Sequence, residues 1–308
     1  MKNEKQLLIF NRAWDLYKHL GLPDDCVDPS LDFSILNLGK YPVEIPYTSP
    51  FYRANFYSFV FVKSCQGTCS SDDKRFKLLP GTIYFNNPGH IKRFSLTELG
   101  DIHLLTFSES FLKQYVHASI IEEFPFLLAE TVPPKVLDTR EFSEYEQLYL
   151  QIMKVYHSGS PYRNKQIGHL LAVLLFKIKE AFWNTYDPLE DGNKTSHIVK
   201  NFKMHLESHY RELIQDKTDT VYRLQNYARL QSLHPTYLSN VIKTKTGKTV
   251  SSWIAEKTIA EAKSLLQNSA TPIKQIASML GFSEPTHFSN YFKKNTNTTP
   301  AYYRKQAS

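Results

Sequence analysis

In the stretch "EPTHFSNYFKK", Thr286, Ser289, Asn290 and Lys293 recur at i, i+3, i+4 and i+7, with Lys294 beside them. On a helix this spacing gathers hydroxyls, an amide and an ammonium on one face. Fifty residues earlier, "TYLSNVIKT" repeats the arrangement with Thr236, Ser239, Asn240 and Lys243. A Ser-Asn pair on a single helix is ordinarily a solvated face. Two stripes of hydrogen-bonding side chains in a basic stretch read instead as paired surfaces for nucleic acid or another anionic partner. The charge is placed accordingly: residues 196–308 hold 16 Lys and Arg against 7 Asp and Glu, a net +9, whereas residues 1–195 come to −2.

Each stripe requires a helix and a second helix crossing it. Ahead of the later stripe, Thr271 is placed to cap a helix whose first residue is Pro272, where the missing N–H breaks no hydrogen bond. Ile273, Ile276, Ala277 and Leu280 then form one buried face. Gly281 ends that helix because the turn between crossed helices needs a left-handed residue, and Phe282 fills the angle between them. Ser283 or Glu284 starts the stripe helix, with Pro285 in its first turn and Phe288, Tyr291 and Phe292 facing inward. In the earlier copy "LQNYARLQSLHP" supplies the crossing helix, with Ala228 at the closest approach and His234-Pro235 opening the stripe helix. "SSWIAEKTIAEAKSLLQNS" joins the copies as one helix, its inward positions being Trp253, Ile254, Ile259, Ala262, Leu265 and Leu266.

The remaining chain has a different texture. At 308 residues it is long enough for roughly two domains. From 31 to about 110, "FSILNL", "NFYSFVFVK", "FKLLPGTIYFNN" and "IHLLTFS" are short, aromatic and β-branched, broken by Pro, Gly, Asn and Asp, as in a small antiparallel barrel or sandwich. "EFSEYEQLYLQIMKVYH" and "NKQIGHLLAVLLFKIKEAFW" then read as long helices. In the second, Ile167, Leu170, Leu171, Leu174, Leu175 and Ile178 form a broad apolar stripe, suited to packing on the strand domain or to a homodimer seam. "NTYDPLEDGNKTS" is the best linker in the chain. No apolar run is long enough to cross a bilayer and no signal peptide is apparent. Cys26, Cys65 and Cys69 are too few for a disulfide scaffold, so a reducing cytoplasm is expected and no membrane partner.

The order "YARL…HPTYLSNVIKTKTGKTV", "AEAKSLL", "IKQIASMLGFSEPTHFSNYFKK" and "TTPAYYR" resembles the DNA-binding domain of the arabinose-regulator (AraC/XylS) family of bacterial transcription factors, over about residues 197–304. The resemblance implies two helix-turn-helix units whose stripe helices enter successive major grooves of double-stranded DNA. It assigns Asn240 and Asn290 to adenine edges or phosphate, and Lys243, Lys293 and Lys294 to phosphate or guanine. Thr236, Ser239, Thr286 and Ser289 add weaker contacts. Three positions depart from the family pattern: Thr258 where Arg is common, Asn297 where Gly often closes the second unit, and Gln231 in place of an apolar residue.

"NFYSFVFVKSCQGTCSSDDKRFKLLPGTIYFNNPGHIKRF" is similar to the cupin-like effector domain that precedes this DNA-binding domain in many family members. The expected fold is α+β: an arm at 1–30, a cupin-like β-barrel at 31–110, a helical dimerisation segment at 111–187, a linker at 188–196 and an all-α DNA-binding domain at 197–308. Arg53 is a candidate anion partner for an effector, although an ion pair with Asp72 or Asp73 is the plainer role. Tyr57, Phe59 and Phe61 alternate along one strand and are candidates to line the cavity, or simply core. Where metal-binding cupins place two His and a Glu, this chain has Arg53, Ala54 and Asn55, so no metal, cofactor or enzyme activity is expected despite His90 and His103. The i, i+4 pair His205 and His209 lacks the zinc-protease Glu and is read as solvated, and Cys65 and Cys69 lack a second ligand pair. The reading is a transcription regulator, an activator or a repressor, tuned by a small effector, with a homodimer and, if it activates, RNA polymerase as partners. A cupin-type metal enzyme fused to a DNA-binding module, and a ligand-free regulator, stay open as alternatives.

Overall fold

The computed structural model describes residues 7–23, 28, 31–72, 74–117, 120–128, 133–183, 194–268 and 270–307. Cys26, Asp73 and residues 188–193 of the expected linker lie outside the described residues. The chain divides into two compact units, one formed by 1–111 and 124–191, the other by 112–123 and 192–308. The second unit therefore takes in a short segment from the middle of the chain, which the sequence reading assigned to the helical dimerisation segment.

The first unit contains β1 (Leu8–Phe10), α1 (Ala13–His19), β2 (Phe33–Asn37), β3 (Tyr47–Thr48), β4 (Tyr52–Ala54), β5 (Tyr57–Val62), β6 (Cys65–Ser71), β7 (Lys74–Leu78), β8 (Thr82–Asn86), β9 (Ile91–Leu99) and β10 (Ile102–Phe107). After α2 (Glu109–Tyr115) and α3 (Ile120–Glu123) come β11 (Lys135–Val136), α4 (Thr139–Tyr156) and α5 (Arg163–Trp183). The strands form two sheets, one ordered β1-β4-β9-β6-β7 with β3 on β9, the other β11-β8-β5-β10-β2. The expected cupin-like domain is thus a jelly-roll-like pair of sheets; among the described strands none pairs from one sheet to the other, so the barrel is not closed. Asp138 starts α4 through a reciprocal capping box with Glu141.

The second sheet is buried on both faces. On β5, Ser58 and Val60 face the first sheet, while Phe59 packs on Phe85 with ring centroids 4.4 Å apart and Phe61 meets Tyr145 and Tyr149 of α4 at 6.2 and 6.1 Å. The stripe of α5 is covered within this unit: Ile167, Leu171, Leu174, Leu175 and Ile178 are all buried in the single chain. These five residues pack on their own unit, and Leu170 of the same stripe is half-buried.

The second unit continues with α6 (Lys194–Ile214), α7 (Leu224–Leu230), α8 (Pro235–Thr246), α9 (Val250–Asn268), α10 (Ile273–Met279), α11 (Pro285–Thr296) and α12 (Pro300–Ala307). One core joins them, built from Phe202, Leu206 and Tyr210 of α6, Leu238 and Ile242 of α8, Ala262 and Leu266 of α9, and Phe288 and Phe292 of α11. The inward face expected for α9 is present, with Trp253 buried and Ile254, Ile259 and Leu265 packed against the cluster.

Candidate functional site: a paired helical surface

The helix pairs α7–α8 and α10–α11 are built alike down to single hydrogen bonds. Ala228 and Ala277 are fully buried where the paired helices cross, and each carbonyl accepts at 2.9 Å from the plug residue beyond the turn, Leu233 and Phe282 respectively. The turn itself passes through left-handed Ser232 (φ 53°) in one copy and Gly281 (φ 77°) in the other. Phe282 packs between Phe288 and Tyr291, each ring centroid 5.4 Å away. At the far ends, Thr246 Oγ1 donates to Ile242 O and Thr296 Oγ1 to Phe292 O, both at 2.8 Å.

The starts of α8 and α11 differ. His234 caps α8 by accepting the Thr236 N–H, whereas Glu284 precedes α11 without a side-chain cap. Upstream, α10 begins at Ile273 with Pro272 as its capping residue, one position later than the sequence suggests. The Thr271 carbonyl is instead taken by the Arg304 guanidinium at 2.7 Å.

On this frame the two stripes are presented identically. Thr236, Asn240 and Lys243 are exposed and Ser239 half-buried on α8; Thr286, Asn290, Lys293 and Lys294 are exposed and Ser289 half-buried on α11. None of these side chains is engaged by another described residue. Tyr237 and His287 occupy matching exposed positions that the sequence reading passed over. The fifty-residue echo was the signal that could have found them. Thr258, by contrast, is buried, sharing a 2.5 Å hydrogen bond with the Tyr210 hydroxyl and donating to Ile254 O.

Beneath α9 lies a buried ion cluster that sequence reasoning missed. Lys113 reaches Glu261 at 2.5 Å and Glu207 at 3.1 Å; Lys257 pairs with Glu261 at 2.8 Å and also with Glu207. Burial would raise the Glu261 carboxyl, but the two ammoniums outweigh it and hold it at about 2. Its trace in the sequence is the i, i+4 pair Lys257 and Glu261 on an otherwise apolar face. His209 also corrects the reading of a solvated pair. It is buried, stacked on Tyr222 at 3.7 Å, and its Nε2 accepts the Tyr222 N–H; burial lowers it to about 4, so it is a neutral core residue.

In the first unit a cavity of about 90 Å³ lies between the sheets. The candidate residues there are corrected by the strand alternation. Tyr57, Phe59 and Phe61 point away from the cavity, toward Phe85, Phe107 and α4, while their neighbours Ser58 and Val60 line it. Arg53 is also off the cavity, whose wall on β4 is made by Tyr52 and Ala54; it is buried in the field of Asp72. His90 pairs with Asp72 at 2.7 Å, and His103 lies 3.4 Å from Glu146. Burial raises Cys65 to about 11 and Cys69 to about 12, which leaves both free thiols unreactive.

The sequence profile of a family described as a helix-turn-helix domain matches residues 227–306, which takes in both pairs and the helix between them. The arabinose operon regulatory protein of Escherichia coli (strain K12) is 24% identical over 241 residues, spanning 78% of this chain and 77% of that protein. The helix-turn-helix domain of this chain is of the arabinose-regulator type. YobQ, a helix-turn-helix-type transcriptional regulator of Bacillus subtilis (strain 168), is 30% identical over 116 residues, 37% of this chain and 48% of its own length. Among solved structures, the C-terminal domain of AraT, a response regulator from Geobacillus stearothermophilus, aligns at 25% identity with a TM-score of 0.33, covering 37% of this chain and 88% of that one. The protein is a DNA-binding transcriptional regulator, with α8 and α11 as the second helices of its two helix-turn-helix units. Among the described residues no helix is long and apolar enough to cross a membrane.

Proposed function

We propose that α8 and α11 enter successive major grooves on one face of a duplex, held apart by α9. Asn240 and Asn290 pair with adenine edges, and Lys243, Lys293 and Lys294 take guanine or phosphate. Thr236, Ser239, Thr286 and Ser289 supply hydroxyl and methyl contacts. The observation that supports this reading is the matched exposure of two stripes whose side chains are engaged by nothing else among the described residues. Phosphate neutralisation dominates affinity, so binding falls steeply with salt.

The strand unit holds a small effector between its sheets and acts without catalysing a reaction. Binding there changes regulation only in so far as the effector prefers one of two arrangements of the protein on DNA. The working form is a homodimer in the cytoplasm, with RNA polymerase as a further partner where the protein activates. Selection of binding sites from random duplex DNA by the full-length chain tests the paired reading. Two conserved blocks one helical turn apart, about 34 Å, are expected; a single isolated block would contradict it.

A further inference from the structure

The cavity between the sheets is polar at one end and hydrocarbon at the other. Register places Lys92 of β9 opposite Tyr52 and Ser71 in its own sheet, while in the facing sheet Asn86 lies opposite Ser58, which is in turn opposite Thr106. Lys92 and Asn86 flank the same short connection from β8 to β9, so they mark one end of the sandwich. Leu96 and Ile102 line the other end. Lys92 is only 5% exposed, and no hydrogen bond or ion pair holds its side chain to another described residue. Asn86 Nδ2 lies 3.1 Å from Ser58 Oγ, and its Oδ1 is buried without a partner. Because a serine hydroxyl can donate as well as accept, the Asn86 amide can turn and present an N–H to the cavity instead.

A buried ammonium that no described carboxylate contacts directly is costly, and the cost is removed by an anion that brings its own apolar body. A cavity of about 90 Å³ is smaller than the ~150 Å³ space that takes benzene, which limits that body to a few carbons. Building on the effector reading above, we propose that the cavity takes a short-chain monocarboxylate, its carboxylate on the Lys92 ammonium and its hydrocarbon directed toward Leu96 and Ile102.

Proton linkage accompanies this site. Burial lowers Lys92 to about 7, opposed by the charge of Asp72, which also acts on His90 and Arg53. The other titratable groups packed around it are Tyr52 on β4, Cys69 on β6 and Tyr84 on β8, all raised by burial and neutral at neutral pH. An incoming carboxylate favours the charged lysine, so above about pH 7 binding must draw a proton onto Lys92. Affinity is then flat below that pH and falls up to tenfold per unit above it.

Calorimetric titration of the full-length protein with butyrate, butyramide and butanol, at about pH 6.5 and about pH 8.5, is the test. Butyrate is expected to bind at least tenfold more tightly than either uncharged analogue and at least tenfold more tightly at the lower pH. Lys92→Met should abolish butyrate binding while keeping the circular dichroism spectrum, and Lys92→Arg should retain binding without the pH dependence, since a guanidinium stays charged. Equal affinity for butyramide, or butyrate binding unchanged in Lys92→Met, would overturn the proposal. Neutral sugars that stabilise wild type and Lys92→Met alike would leave the effector reading standing and remove the carboxylate class. A flat response to acids and neutral compounds, with DNA binding intact, would remove both.

Discussion

The two helix-turn-helix units share a plan but distribute their glycines oppositely. The first turns through Ser232 and closes α8 with Gly247, whereas the second turns through Gly281 and closes α11 with Asn297. All four residues are left-handed, with φ between 53° and 77°. Serine and asparagine tolerate that conformation at modest cost, so φ alone does not explain why the second turn keeps Gly281. Space does: a Cβ on Gly281 would collide with the Val221 side chain. At the second turn, conformation and space together demand glycine. Asn297, a departure from the family pattern, is accordingly a residue that fits its conformation.

The sharpest way to break this comparison is through what the copies share. Glu261 of α9 neutralises Lys113 and Lys257 beneath the helix that joins the units. Glu261→Gln is expected to lower stability by about 3–5 kcal/mol at neutral pH, measured by urea unfolding, with both units melting together. The Glu261 carboxyl is depressed from 4.5 to about 2, so its contribution is complete above about pH 4.5 and vanishes as pH falls through about 2. The gap between wild type and variant should close over that window; a gap independent of pH would refute the ionic account.

A smaller effect separates the two turns. Gly281→Ala should cost roughly 2–4 kcal/mol, combining left-handed strain with the collision at Val221. Ser232→Gly should instead be neutral or stabilise by less than about 1 kcal/mol. Thermal melts of the two variants measure the contrast. Equal and small effects would mean that Val221 moves aside and that the turns are equivalent. On DNA, Lys243→Ala should reduce the slope of log affinity against log salt by about 1 without changing the preferred sequence.

The helical unit was legible in the sequence because its signals are local and doubled. Periodicity, Gly281 after Leu280, and the Ser-Asn echo each depend on neighbours along the chain, and the stripe residues stand where that spacing put them. The cavity was misread for a converse reason. In a strand buried on both faces, Tyr57, Phe59 and Phe61 look no different from Ser58, Val60 and Val62 as candidates for the interior, and an error of one residue exchanges the faces. The aromatic set packs on the other face, Tyr57 and Phe59 against Phe85 and Phe107, and Phe61 against α4. Lys92 gave no signal at all, since a lysine between Ile91 and Arg93 reads as a solvated strand position. The buried cluster of Lys113, Glu207, Lys257 and Glu261 joins residues far apart in sequence, of which the local pattern reports only the i, i+4 pair Lys257 and Glu261.

The most direct test of the paired reading compares Asn240→Ala with Asn290→Ala on the selected operator, by quantitative binding to a panel of single-base variants. Each substitution should erase discrimination at one base, in a different block for each variant, at about 1–3 kcal/mol. If both substitutions relaxed the same block, or neither altered preference at any base, α8 and α11 would not be two readers of one duplex.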